Sequence, residues 1–208
     1  MYQYFDGRER VRSAESEANY RKEWKEIMDY LYSYPCIGTL VSFNEAWGQF
    51  DTPAVVQFTR ELDPTRLINP ASGGNFDFSA GPEGFGDILD VHHYPCPAMN
   101  VFERKFVNVL GEYGGIGMPV EGHTWIIDRK WGYGKVKENS EQLMKQYEEY
   151  LEMLKGFVTT GCAAAVYTQT TDVEGEVNGL MTYDRKVIKM DIPRIAAANK
   201  QVIESMSK

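Results

Sequence analysis

Apolar positions along the chain fall into two alternating patterns, one of helical spacing and one of short continuous runs. In "SEANYRKEWKEIMDYLYSY", Tyr20, Trp24, Ile27 and Leu31 are spaced four, three and four apart with charged residues between them, which predicts a helix over about 15–32. Pro35 and Gly38 end that pattern, and "IGTLVSF" then reads as a short strand, apolar enough to be buried on both faces. Thr52-Pro53 marks a helix start, a capping hydroxyl followed by proline in the first turn, and "AVVQFTREL" carries that helix to Asp63-Pro64. A short strand "RLIN" follows, then a Gly- and Pro-rich stretch, Pro70 to Gly86, that predicts a long surface loop.

The alternation continues. "DILDVHHY" is a predicted strand tipped by His92, His93 and Tyr94, and "FVNVLGEYGG" is another, tipped by Glu112 before a glycine cluster. After an irregular stretch from Ile116 to about Glu138, the segment 139–161 has the strongest helical period, with Leu143, Tyr147, Tyr150, Leu154, Phe157 and Val158 on the expected buried face and Gly161 as the stop. "CAAAVYTQ" is the next strand, "MTYDRKVIK" a short extended or turn segment, and Asp191-Ile192-Pro193 opens a last helix to about Ser205.

Strands alternating with helices, each strand short, apolar and polar-tipped at its carboxyl end, predict an α/β fold with parallel strands. In such folds ligand-binding groups gather at the carboxyl ends of strands. No internal repeat, low-complexity segment or linker divides residues 1–208, so one domain is expected. About five strands are visible, fewer than the eight of a closed (β/α)8 barrel. The pattern is therefore that of an incomplete barrel or of an open five-stranded sheet.

Charge and composition narrow the partners. A net charge of −8 and a pI near 5.0 oppose nucleic acid and anionic membrane surfaces, and leave a neutral ligand open. No run approaches a membrane span, and "MYQYFDGRER" lacks the apolar core of a signal peptide, so a soluble chain without an export signal of its own is expected, its compartment, cytoplasmic or periplasmic, being left open. Cys36, Cys96 and Cys162 are odd in number and in no metal-binding pattern, and read as spectator or buried thiols. Many aromatic residues lie in Gly- and Pro-containing segments, where they suit the flat faces of sugar rings as well as core filling.

The candidate chemistry lies at two strand tips. "VSFNEAWGQFD" ends a strand in Asn44-Glu45, and "GEYGG" ends another in Glu112. Two carboxyl groups, one protonated and one ionised, are what hydrolysis of an unactivated acetal requires. "SFNEAWGQFDT", "LDVHHYP", "GEYGG" and "VYTQTTDVEGEVNGLMTYDRKVIK" together resemble, in order, the catalytic domain of glycoside hydrolase family 2, the β-galactosidase, β-glucuronidase and β-mannosidase group. The resemblance runs from about Ser13 to Val202. It implies the C-terminal part of a TIM barrel, strands four to eight, and a retaining β-glycosidase acting on terminal β-linked sugars, β-galactosides being the first expectation. It makes Glu45 the general acid/base and Glu112 the nucleophile. Asn44 is then a ligand of the sugar 2-hydroxyl, and Tyr94 a partner of the nucleophile. The implied reaction needs no metal or organic cofactor. The alternative is an inactive partial barrel that binds carbohydrate or a protein partner. A partial barrel would also expose strand edges that a second copy of the chain could cover.

Other features are weighed against simpler readings. His92 and His93 are adjacent on a strand and point to opposite faces, which disfavours a shared metal ion and leaves one of them for a sugar hydroxyl. Asp172, Glu174 and Glu176 alternate, but Ca²⁺ demands six or more oxygen ligands, so a solvated acidic loop is expected. The glycines near Glu112 lack the spacing of a phosphate loop. Trp47, beside Glu45, is the leading candidate for stacking on a sugar, whereas core packing is expected for Trp125 and Trp131. Tyr167 and Gln169 tip the last strand and are placed at the floor or rim of the site.

Overall fold

The computed structural model describes residues 11–45, 48–73 and 86–206. It is mixed α/β with parallel strand pairing, and contacts divide it into two compact units. The first unit comprises Met1–Val91 and Phe102–Asn108, the second His92–Val101 and Val109–Lys208.

In the first unit, α1 (Ala14–Leu31) starts at Ser13, whose hydroxyl accepts a hydrogen bond from the Ser16 amide at 3.2 Å. Strand β1 (Thr39–Val41) pairs in parallel with β2 (Leu67–Asn69), in the register Thr39 to Leu67 and Val41 to Asn69. Between them runs α2 (Thr52–Leu62). The strand expected to be buried on both faces is not, since Val41 is 43% exposed and Thr39 and Leu40 are half-buried. The cause is that, among the described residues, β1 pairs with a single neighbouring strand, β2. The cap of α2 also differs from expectation. Thr52 already has helical geometry and is buried, and Asp51 takes the cap position in a left-handed conformation, φ 37°, without a side-chain cap bond. The core gathers Phe43, Phe50, Val55 and Ala71 against Tyr20 of α1.

Strands β3 (Ile88–His93), β4 (Val107–Gly114) and β5 (Cys162–Thr168) form a three-stranded sheet in that order. The described strands thus make two separate sheets and close no barrel. In the second unit, α3 (Ser140–Thr160) is capped by Asn139, which accepts from the Gln142 amide, and ends at Gly161 with φ 103°. Its buried stripe includes Met144 and Leu151, while Phe157 and Val158 are only half-buried. It packs on β5 and on α4 (Ile192–Ser205), where Tyr147 and Asn199 share hydrogen bonds and Arg194 grips Glu148 with two bonds of 2.6 Å. No helix among the described residues is long and apolar enough to cross a membrane.

The expected solvated acidic loop is overturned at Asp172. Its carboxylate is buried and accepts from the Lys189 ammonium at 2.6 Å and from the Gly179 amide at 2.8 Å. Lys189 is itself 1% exposed and also donates to the Val177 carbonyl. Sequence alternation could not reveal this, because the cation arrives from 17 positions away.

Candidate functional site

The tip that carries Asn44 and Glu45 is built by β1 continuing beyond its regular pairing. The Ser72 amide donates to the Phe43 carbonyl, the Glu45 amide to the Ser72 carbonyl at 2.6 Å, and Asn44 forms an isolated parallel bridge with Ser72. Behind it, Tyr20 donates to the Ser42 carbonyl at 2.6 Å while its ring stacks on Phe43 and meets Phe50 edge-on. Burial pushes the Tyr20 phenol up to about 12. Asp90 anchors the same segment, accepting from the side chains of Asn69 and Ser72 at 2.7 and 2.8 Å. On this support Asn44 is exposed and Glu45 half-buried. Glu45 has φ 49°, a left-handed conformation that costs a residue with a Cβ atom about 1–2 kcal/mol. Trp47 and most of the expected long loop, residues 74–85, lie outside the described residues.

The second unit brings together His92, Tyr94 and Glu112. The Tyr94 hydroxyl donates to Glu112 Oε2 at 2.5 Å and lies 2.6 Å from Thr168 Oγ1. A phenol has one proton, and an ionised carboxylate can only accept, so Thr168 is the donor in the second contact. Burial, reinforced by the bond to Glu112, pushes the Tyr94 phenol far above its ordinary range. Tyr94 therefore keeps its proton at neutral pH and remains a donor. His92 Nδ1 is 3.4 Å from the same Glu112 oxygen, whereas His93 Nδ1 turns to the Cys96 carbonyl at 2.7 Å. The two histidines thus serve different partners.

The turn after β3 contains a cis Tyr94-Pro95 peptide, and the Pro95 carbonyl accepts from the Gly114 amide at 2.9 Å, tying this turn to the end of β4. Gly114, at φ 87°, lies so close to Tyr167 that a Cβ there would sit 2.4 Å from the ring. Tyr167 is held by this approach, by edge contacts with Tyr113 and Tyr147, and by a hydrogen bond from the Ile116 amide to its hydroxyl. Burial also raises the Tyr167 phenol above its ordinary value. Gln169 follows Thr168 through a cis peptide and donates to both Glu176 and Asn178 at 2.9 Å.

Two participants were not foreseen. Tyr133 lies in the irregular stretch between β4 and α3, where no periodicity marks it, yet its ring stacks on Tyr94 at 3.7 Å between centroids. Thr168 stands between Tyr167 and Gln169, both singled out from sequence, and its position at the strand tip was the available signal. Trp125 and Trp131, expected in the core, are 59% and 43% exposed. Both lie in the irregular stretch between β4 and α3.

No family model matches the chain, and no curated protein matches it. Solved structures do. An FMN-binding β-glucuronidase from Faecalibacterium prausnitzii L2-6 aligns over 86% of this chain with a TM-score of 0.58 and 22% identity. A putative β-galactosidase from Bacteroides fragilis aligns over 92%, at 0.55 and 15%, and a β-glucuronidase from Parabacteroides merdae over 86%, at 0.54 and 14%. The fold is one found within β-glycosidases. The chain spans 31%, 31% and 26% of the lengths of these three neighbours, so the likeness concerns a segment of each.

Proposed function

We propose that the chain is the C-terminal catalytic part, strands four to eight, of a family 2 glycoside hydrolase barrel, and that it serves the retaining hydrolysis of terminal β-linked sugars. The observation that carries this reading is the Tyr94–Glu112 hydrogen bond at the tips of β3 and β4, backed by the hydroxyl of Thr168. A nucleophilic carboxylate must be ionised, oriented and shielded from a competing proton. A phenol that keeps its own proton and donates it supplies the first two, since hydrogen bonding to the ionised form favours that form.

In this mechanism Glu112 attacks the anomeric carbon while Glu45 protonates the departing glycosidic oxygen. Glu45, now a carboxylate, removes a proton from water, which attacks the glycosyl ester and releases Glu112. Retention requires the two carboxyl groups to work about 5–5.5 Å apart. Asn44 binds the sugar 2-hydroxyl beside Glu45, and one strand-tip histidine, His92, contacts a further hydroxyl. The support for the reading is the fold shared with β-glucuronidases and β-galactosidases together with carboxyl groups at strand tips.

The test is mass spectrometry of the protein after treatment with 2-fluoro β-galactoside and 2-fluoro β-glucuronide reagents. The expected outcome is a glycosyl adduct on Glu112 that is absent from Glu112→Gln. An adduct on any other residue overturns the assignment. Sugar binding without turnover of any aryl β-glycoside would establish the non-catalytic alternative.

A further inference from the structure

Within the first unit, the segment that presents Glu45 hangs from a bridge set apart from the strand ladder. β1 and β2 pair regularly as far as Val41 and Asn69, the pairing lapses at Pro70 and Ala71, and it resumes in the same register at the isolated bridge between Asn44 and Ser72. Proline supplies no amide proton, so a regular ladder is interrupted there. Across the lapse the Ser42 carbonyl accepts from the Tyr20 hydroxyl of α1.

Asp90 spans that lapse. Its Oδ2 accepts from the Asn69 side-chain amide on one side of Pro70 and from the Ser72 hydroxyl on the other, at 2.7 and 2.8 Å. The same two residues carry the backbone bonds of the segment leading to Glu45. The Asn69 carbonyl accepts from the Ser42 amide at 3.1 Å, while Ser72 donates to the Phe43 carbonyl at 2.8 Å and accepts from the Glu45 amide at 2.6 Å. Hydrogen bonds to a charged carboxylate are stronger than neutral ones, and water has little access to compete for them, since Asp90 and Asn69 are 2% and 4% exposed. One buried oxygen thus ties together the rungs on both sides of the proline.

A second carboxylate nearby in sequence has a different duty. Asp87, just before β3, accepts from the Ile68 amide at 2.8 Å and from Arg60 of α2 at 2.9 Å, both on the regular side of the ladder. Only Asp90 is linked through Ser72 to Glu45, whose left-handed backbone is a conformation that a residue with a Cβ atom keeps only where its surroundings hold it. We infer that Asp90 is a positioning residue for Glu45: by clamping Asn69 and Ser72 across Pro70, it fixes the backbone that aims the Glu45 carboxyl at the glycosidic oxygen. The inference rests on the reading of Glu45 as the general acid/base, and adds to it a residue that acts through Ser72 and not on the sugar.

Acid assistance matters most where the leaving group is poor, because a phenoxide needs the proton and a dinitrophenolate departs without it. Matched phenyl and dinitrophenyl β-galactosides and β-glucuronides, compared through kcat/KM, therefore separate a misplaced Glu45 from a mere loss of folded protein. In the full chain, Asp90→Ala and Ser72→Ala are expected to lower the phenyl value by about 10–100-fold and the dinitrophenyl value by less than about threefold. Ser72→Ala removes a single hydroxyl and leaves Asp90 paired with Asn69, so it reports even if Asp90→Ala folds poorly. Asp87→Asn controls for plain loss of stability and is expected to leave the ratio of the two substrates unchanged, whereas Glu45→Ala sets the largest selective loss. Equal loss on both substrates in the Asp90 and Ser72 variants, no loss on either, or the same selective loss in Asp87→Asn overturns the inference; a selective loss in Glu45→Ala then leaves the hydrolase standing. No turnover by the unmodified chain, or an equal loss on both substrates in Glu45→Ala, overturns the acid/base reading and this inference with it.

Discussion

The Tyr94 hydroxyl and the Glu112 carboxylate are joined at 2.5 Å, and the proton between them belongs to the phenol because burial and the carboxylate both resist its loss. Replacing Tyr94 with Phe keeps the ring that stacks on Tyr133 and removes only this donor. If Glu112 is the nucleophile, Tyr94→Phe is expected to lower kcat for an aryl β-glycoside by about 10²–10³-fold, the usual cost of losing one donor to a reacting oxyanion. KM is expected to change far less, and steady-state kinetics separates the two.

Gly115 is expected to be intolerant of a side chain. At φ 60° an alanine would be strained, and its Cβ would fall 2.3 Å from the Tyr133 ring. Gly115→Ala is therefore expected to lose about 1–3 kcal/mol of stability by urea unfolding. The displaced ring would no longer stack on Tyr94, so if the proposed hydrolase reading holds, activity is expected to fall under conditions where the variant is still folded.

The buried Asp172–Lys189 pair makes an unequal exchange. Removing the lysine alone leaves a carboxylate enclosed without its cation, and Lys189→Met is expected to cost about 3–5 kcal/mol. Asp172→Asn combined with Lys189→Met is expected to recover part of that loss, because no charge is then stranded. A double-mutant cycle measured by chemical denaturation reads the difference.

Asp63 predicts the form of the acid limb. Bonds from the side chain and amide of Thr65, together with Arg66, lower its carboxyl to about 2. The unfolded chain, with an ordinary carboxyl near 3.9, binds this proton first, so the stabilisation is present above about pH 4 and is lost as the pH falls toward 2. Arg66 also donates to the Ile37 and Tyr32 carbonyls, so the lost interaction ties together the end of α1, the approach to β1 and the end of α2. Asp63→Asn is expected to be less stable than the unmodified chain at neutral pH and to flatten the dependence of stability on pH between about 4 and 2, measured by urea titration at each pH.

What could be read from the sequence was what local spacing encodes. The helices at 14–31 and 140–160 follow apolar periodicity, and Asn139 and Asp191 cap helices because cap chemistry acts within three residues. Glu112 was conspicuous because it ends an apolar run ahead of a glycine cluster and forms a pair with Glu45 at a second such tip. Tyr133 and Lys189 were silent because each acquires its meaning from a distant partner, 17 positions away for Lys189, while Thr168 was marked only by its place at the strand tip and meets a partner 74 positions away. Capping at Thr52 failed for a different reason. Its hydroxyl has the right chemistry, but the backbone enters the helix one residue earlier, through the left-handed Asp51. The burial of β1 was misjudged because an apolar run reports what a strand can bury, and the number of neighbouring strands decides what it does bury.

The left-handed backbone at Glu45 sets what a stability screen of this protein would select. Glycine at 45 would fit the same φ of 49° without a steric cost, so a library sorted only for heat resistance should enrich it. The enriched clones would lack the carboxylate. If Glu45 is the acid/base of the proposed hydrolase, a selection that also demanded sugar turnover should return the glutamate, and the disagreement between the two winners would measure how much folding free energy this one position exchanges for chemistry.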